Sequence, residues 1–413
     1  MPDLVAERIR LHAGFLCWVV MASTAVVVYA APPIAIEVQE TAGIRRFQYP
    51  LAVELRLTKP VPRETKFRLA RAGAPVAAQI RAGESGATVA RWWLDFSVDL
   101  LPHESATYAV EYGRDVTEGA GPKRGFRLLS SDDAFRIVNE PHIAWTVPVD
   151  LDGLLSSVRA GELEYLRTGA TGLLLRDCGG KDHPVGGSKD GRRPSVRVTR
   201  QGKQAVGLCF EHVETGPQLA EVRWTVDLTF PVVKSWVEVD WRIEDPRDRV
   251  AGVLGVFNAH LDAPTREKPT LIDFGAASLV YVSLGPGQRA QLRGGSAAWQ
   301  VLRGSPDRLE PFVAGPNPAD SRPEGWVHVM DRQRCLAMAV DRFAVDTEDS
   351  IGVSAAGRLE LSRSFRAGKA VAAAVKRLRF WLHFVPFPPQ QTAATSPQAM
   401  QNPVVIRVRG EVQ

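Results

Sequence analysis

Cysteine is nearly absent from this chain. Of four in 413 residues, Cys17 sits in an N-terminal apolar run, which leaves Cys178, Cys209 and Cys335. Three thiols allow at most one disulfide, and their spacing matches no metal-ligand pattern. Each has hydrophobic neighbours on at least one side (LLLRDC, VGLCF, CLAMAV), so buried thiols are expected. Helical periodicity is also missing: no stretch from Ile34 to Gly113 keeps an apolar stripe for three turns. Charge never gathers in blocks. The net charge of +5 comes from arginines scattered along alternating segments. Such a pattern writes a solvated surface, and it permits an acidic partner without requiring one. A basic helix, a Cys/His array and an RNA-binding aromatic signature are lacking, so nucleic acid is not an expected partner. G-x-S-x-G, H-E-x-x-H and phosphate-loop motifs are lacking too, and DAPTREKP is no EF-hand loop. No cofactor and no metal is expected.

Long hydrophobic runs number one. MPDLVAERIRLHAGFLCWVVMASTAVVVYAAPP places Arg8 and Arg10 ahead of an apolar stretch from Ala13 to Ala31. Val28-Tyr29-Ala30 fits the small-residue requirement of signal peptidase. Residues 1–30 are therefore expected to be an export signal cut after Ala30, with Ala31 as a near alternative. The competing reading is an uncleaved anchor, because the run approaches the roughly 20 residues of a membrane span. Both readings put the protein outside the cytoplasm: secreted, periplasmic or in the cell envelope.

Beyond this run the pattern is strand after strand. LAVELRL, TKFRLAR, PVAAQIRA, ATVARWWLDFSVDL and ATYAVEYG alternate apolar and polar residues between Gly, Pro and Glu/Ser turns. They predict a small all-β unit over 34–113. A Gly-rich linker covers 114–125. Longer strands then run to the proline cluster at Pro386, Pro388 and Pro389. In Trp236–Ile243, Trp236, Glu238, Asp240 and Arg242 share one face, and Val237, Val239, Trp241 and Ile243 share the other. One wet face and one packed face is the signature of an antiparallel sandwich. The sandwich is expected over 126–388, about twice the usual immunoglobulin-type length. Residues 389–413 read as a linker and a truncated tail. The fold class expected is all-β, a small β-barrel followed by a large antiparallel supersandwich.

The ordered motifs carry a resemblance. The segments G.PV.AQ, W..LDF and LP..ES..Y.V.YG, met here as GAPVAAQ, WWLDF and LPHESATYAVEYG, resemble the N-terminal RIFT-type barrel of the exo-rhamnogalacturonan lyase-like family. DLDG, VEVDWRIEDP, DFGAASLVYVSLGPGQRAQLR, GWVHVMDRQRCLAMAVDRF and FWLHFVPFPP resemble that family's galactose-mutarotase-like central sandwich. Longer members continue past the H.VP.PP linker into a helical α/α toroid. Here the sequence stops after NPVVIRVRGEVQ. The resemblance thus implies the two β-domains of a polysaccharide lyase-like protein without the toroid, and a substrate that is a polysaccharide, possibly acidic.

Lyase chemistry on a uronic acid needs a base, a cation for the carboxylate and an acid for the leaving oxygen. No such set is legible, and catalytic residues stay unassigned. Candidates for sugar contact are more numerous. His142 lies three before Trp145 in NEPHIAW, a histidine beside an indole on which a pyranose could stack. Lys181, His183 and Arg192 belong to the loop CGGKDHPVGGSKDGRRP, long enough to reach over a cleft, although a solvated hairpin loop writes the same residues. His260 and Asp262 share a strand face and could form a hydrogen-bonded pair, or simply end a strand. His383 sits among Phe380, Trp381, Phe384 and Phe387. That strand is apolar on both faces, which predicts cover on both sides. The second cover is expected from self-association or from a separately encoded helical toroid. The preferred function is a carbohydrate-binding or polysaccharide-processing protein, lyase-like by resemblance and not active alone. The alternatives are a structural module of the cell envelope, an active lyase completed by a toroid in trans, and an aldose epimerase built on His260 and Asp262.

Overall fold

The computed structural model of the chain describes residues 33–413 except 120, 123–124, 140–141, 168, 170–171, 188–192, 233, 296–297, 317–321, 366–374, 386–394 and 411–413. The expected export signal, Arg192 and Phe387 lie outside the described residues.

The protein is all-β. Among the described residues the one helix is Thr395–Gln401, and every other element is a strand. Trp236–Glu244 shows why. Its Val, Trp and Ile suit a pleated, half-buried surface. Val237, Val239, Trp241 and Ile243 are fully buried on one face, as the alternation predicts.

Two large antiparallel sheets form the sandwich. In spatial order the nine-stranded sheet is Ser195–Gln201, Ala205–Val213, Arg223–Pro231, Trp236–Glu244, Lys376–Val385, Cys335–Val340, Trp326–Met330, Thr270–Gly275 and Leu279–Leu284. The eight-stranded sheet is Asp182–Pro184, Gly172–Asp177, Val250–Asn258, Arg358–Ser364, Glu348–Ser354, Arg289–Gly294, Ala298–Ser305 and Arg308–Pro316. Their inner faces share one core, with Trp224, Trp241, Phe230, Phe257, Phe274 and Phe380 among its large side chains. A further five-stranded sheet, built between Arg127 and Glu164, adds Trp145 to that core.

The N-terminal unit is a pair of sheets. Ile34–Gln39, Lys66–Arg71, Ala74–Val76 and Ser105–Gly113 belong to one, and Arg46–Pro62, Ala78–Ala82 and Thr88–Leu100 form the other. Their core holds Leu55, Phe67, Leu94, Phe96 and Tyr108. It does not stop at the unit's edge. Trp236, Trp326 and Trp381, from the outer face of the nine-stranded sheet, belong to the same cluster, with Met400 and Val404. An indole buries ~150–250 Å², so at ~25 cal/mol/Å² three of them contribute on the order of 10–20 kcal/mol of gross burial. Small residues make the room. Ala339 lies in register between Trp381 and Trp326, and Gly275, opposite Trp326, has no space for a Cβ against that indole.

Two sequence expectations need correction here. The C-terminal residues are not a tail. Val405–Arg409 pairs antiparallel with Ile34–Gln39 and becomes the edge strand of the first sheet. The preceding helix bridges both halves. Arg46 of the N-terminal unit donates to Ala399 O (2.8 Å), to Asn402 O (2.7 Å) and to Glu40 (2.9 Å). Gln401 Nε2 donates to Glu324 O (2.6 Å) and Val340 O (2.8 Å) of the sandwich. The low-complexity stretch hides a short terminal strand whose partner lies more than three hundred residues away. The second correction concerns the cover on Phe380–Phe384. It comes from this same chain: Phe380 and Phe384 are fully buried in the sandwich, and Trp381 is 3% exposed under the N-terminal unit. Among the described residues no apolar patch is left there for a partner to cover.

Candidate functional site

A groove on the solvent side of the eight-stranded sheet encloses about 800 Å³. Strand alternation builds it. Ile351, Val353, Leu359 and Leu361 face the core, so Ser350 and Ser362 must face out. Register then sets a row across the sheet. Ser362 opposes Ser350, Ser350 opposes Arg293, and Arg293 opposes Gln300. Two serines where long charged side chains would usually stand leave a trough.

Hydrogen bonds fix this row. Ser350 Oγ and Ser362 Oγ lie 2.7 Å apart. Gln291 Nε2 donates to Ser350 Oγ at 2.9 Å, and Arg293 Nε donates to Gln291 Oε1 at 2.9 Å. At one end Glu360 accepts from Arg289 (3.0 Å) and Arg358 (2.7 Å). At the other, Glu348 and Ser364 are exposed. Trp299 stands in the wall, and a Cβ on Gly315 would come within 2.9 Å of its indole, so glycine lets the ring lie flat on the neighbouring strand. Asp349 is held from behind by Arg363 (2.8 Å) and the Ala344 amide (2.8 Å). The exposed ends of this ladder offer hydroxyl, amide, guanidinium and carboxylate groups in fixed positions. Such a surface binds a ligand that both donates and accepts hydrogen bonds.

None of the described residues singled out from sequence lines this groove. His142 is exposed in a turn closed by its own amide to Asn139 O. Trp145 is fully buried between Phe126 and Phe230, so it offers no stacking platform. Lys181 is exposed at the far edge of the eight-stranded sheet. His183, beside it, is 9% exposed and bonds Asp177 across 2.8 Å. Asp177 also accepts the Gly179 and Lys181 amides. The His183 hydrogen bond and these amides hold its carboxyl below the usual range, and the pair closes the hairpin. His260 and Asp262 are not joined: Asp262 turns to Arg334 at 3.6 Å, and its amide bonds Asp331. Cys178 is exposed, against the expectation of a buried thiol, whereas Cys209 and Cys335 are buried.

His383 falls into a second row, under the N-terminal unit. Trp236 opposes His383, His383 opposes Ala337, Ala337 opposes His328, and His328 opposes Asp273. Burial pushes His328 down to about 4. Burial, with His328 and Lys234 nearby, pushes His383 down to about 3. Both imidazoles are neutral at ordinary pH, and His328 Nδ1 takes no hydrogen bond from the described residues.

The groove residues escape sequence reasoning because their signal is long-range. EDSIGVS and RLELSRS each place serines at outward positions, but only the pairing of distant strands makes them one surface.

No family model matches the chain, and no curated protein matches it. Solved structures do. A glycosyl hydrolase family 38 protein from Enterococcus faecalis superimposes with a TM-score of 0.56 at 11% identity, over 92% of this chain and 49% of that one. An α-mannosidase from Enterococcus faecalis V583 gives 0.53 at 12%, over 92% and 47%. A putative aldose 1-epimerase from Klebsiella pneumoniae gives 0.37 at 8%, over 67% and 86%. The chain spans about half the length of the first two. At these identities the likeness defines the fold alone: two large antiparallel sheets forming a β-supersandwich, joined to an N-terminal all-β unit, with 92% of this chain matched to the two longer chains.

Proposed function

We propose that this protein is a saccharide-binding β-module, exported and directed at polysaccharide, and that the groove over Ser350 and Ser362 is its binding surface. The observation that carries this reading is the bonded ladder from Arg293 through Gln291 and Ser350 to Ser362 on the floor of an opening of about 800 Å³. A sugar chain presents vicinal hydroxyls at spacings that such a ladder meets, and the ladder is ordered before binding, so little side-chain entropy is lost. An openly accessible trough suits a chain that passes through rather than a molecule that is enclosed. Support also comes from the fold, shared with a family 38 glycosyl hydrolase and an α-mannosidase, although fold alone names no substrate. Arg293, exposed in the groove, is the residue that would favour an acidic polysaccharide. Lyase activity, which the sequence resemblance implies, is the extension of this reading: Arg293 would neutralise a uronate carboxylate, and the base would have to come from outside the ladder.

Affinity gel electrophoresis tests it. Gels containing rhamnogalacturonan, polygalacturonate, mannan or arabinan are run with the parent protein, Ser362→Trp and Arg293→Ala. The expected result is retardation of the parent by at least one polymer and release by Ser362→Trp. Arg293→Ala should lose retardation selectively on the acidic gels. Equal mobility of all three proteins on every polymer would leave a structural module as the better reading.

A further inference from the structure

A second opening lies between the N-terminal unit and the outer face of the nine-stranded sheet. It measures about 240 Å³, some eight times the ~30 Å³ share of a water molecule, and thus the size class of one pyranose ring. Its chemistry differs from the groove's, because its polar groups are buried by the docking of the two halves.

Asp95 is the central observation. In Thr88–Leu100, Leu94 and Phe96 face the unit's core. Alternation turns Asp95 outward, where a carboxylate belongs. The sandwich then packs over it, and Asp95 is left 2% exposed. Its oxygens lie 3.5 Å from Arg200 Nη1 and 3.6 Å from Arg81 Nε. Neither oxygen takes a hydrogen bond from the described residues, and Arg81 Nε and Gln79 Nε2 make none either. Four buried atoms that lack a well-formed hydrogen bond therefore gather on two paired strands, where Gln79 opposes Asp95. Of these residues Asp95 lines the opening, ion-paired but with both oxygens still short of a hydrogen bond, while Arg81 and Gln79 do not line it. Such atoms are costly to leave unmet, charged groups most of all. Contrast Glu238 on the opposite wall, which accepts from Arg379 (2.9 Å) and from Trp381 Nε1 (3.2 Å).

The wall charges decide the class of ligand. Asp95 and Glu238 face the opening, as do Arg200 and Arg379. An anion would meet two carboxylates and a cation two guanidiniums. A neutral molecule whose groups each donate and accept meets neither penalty: a hydroxyl can give its proton to Asp95 while it accepts from Arg200.

We propose that this junction cavity binds one neutral hexose-sized polyol through Asp95 and Arg200. This inference stands on the junction's own polar atoms, so its failure would leave the groove untouched. Binding here would tie ligand occupancy to the docking of the two halves, because one wall comes from each.

Calorimetric titration of the purified protein with D-galactose, D-mannose, L-rhamnose and D-glucose tests it. Galacturonate and glucosamine serve as the anionic and cationic controls. Three variants are compared with the parent: Asp95→Asn, Ala52→Phe and Ser362→Trp. Ala52 opposes Asp95 on the neighbouring strand and lines the cavity, so Ala52→Phe plugs it without touching a charge. The expected result is one neutral sugar bound per chain, at least tenfold more weakly by Asp95→Asn and not at all by Ala52→Phe. Ser362→Trp should bind that sugar as the parent does while losing polysaccharide. If Asp95→Asn does not fold, Ala52→Phe carries the comparison. Absence of binding by every neutral sugar, tighter binding of galacturonate or glucosamine, or unchanged binding in Ala52→Phe would each overturn the proposal.

Discussion

The two sheets of the sandwich have matching inner faces and opposite outer ones. Inside, both present Val, Leu, Ile and large aromatics to a single core. Outside, the nine-stranded sheet carries Trp236, Trp326 and Trp381, and the eight-stranded sheet carries Ser350, Ser362, Gln291 and Arg293. The first face is buried by the N-terminal unit and the C-terminal helix. The second meets solvent. An inner face is dictated by the need to exclude water and says little about function. The outer faces differ because one was built to receive another part of the same chain and the other was left with fixed polar groups.

That contrast can be broken at its closed side. Trp381→Ala should destabilise the protein by about 3–5 kcal/mol, the range for a buried tryptophan, because the cavity it leaves lies between two packed units. Denaturant midpoints measure this, and apolar dye binding should rise in the variant. Arg46→Met should cost about 3–5 kcal/mol, since Glu40 is left buried without its cation. Glu40 adds an acid limb. Its burial opposes ionisation, but the His103 amide, Arg46 and the Ala42 amide lower its pKa to about 2 from 4.5. A carboxyl whose folded pKa is depressed stabilises above the unfolded value, so this contribution should fade as pH falls from about 4.5 towards 2.

The buried histidines sharpen the comparison further. His328 titrates near 4 in the folded chain against 6.5 in the reference state. The native state therefore binds fewer protons than the unfolded one across that window. Stability should be full above about pH 6.5 and decline as pH drops towards about 4, by about 1.4 kcal/mol per pH unit. His328→Leu should remove its share of that decline and leave the part due to His383, which is lowered to about 3, as read from midpoints at a series of pH values. The open side should respond least. Ser362→Ala is expected to change stability by no more than about 0.5 kcal/mol, because its hydroxyl faces solvent and its ladder is not a packing element.

Much of the fold is legible from residues alone. Period-2 alternation in WVEVDWRIE, with no helical stripe, points to the sheet class without any pairing information. FWLHF announces a strand covered on both sides, and that cover exists, but it needs no second chain. The reason is physical: sequence shows that a face is apolar but not which distant segment lies on it. The C-terminal strand escapes for the same reason. VIRVR is short, its burial alternates only weakly, and its partner is at the other end of the chain. The candidate site is the least legible. Histidine and tryptophan draw attention in a sequence, yet Trp145 is core and His183 closes a hairpin. The groove is written in serines, whose meaning appears only when Ser350 and Ser362 are brought opposite each other.

Amide hydrogen exchange with and without a bound oligosaccharide, chosen from the polymer that retards the protein, reads both outer faces at once. Protection should rise in Arg289–Gly294, Glu348–Ser354 and Arg358–Ser364, the strands that floor the groove. It should stay unchanged in Trp326–Met330 and Cys335–Val340, the middle of the covered sheet. Protection that appears in the covered sheet and not in those three strands would contradict the assignment of the open face as the saccharide-binding surface.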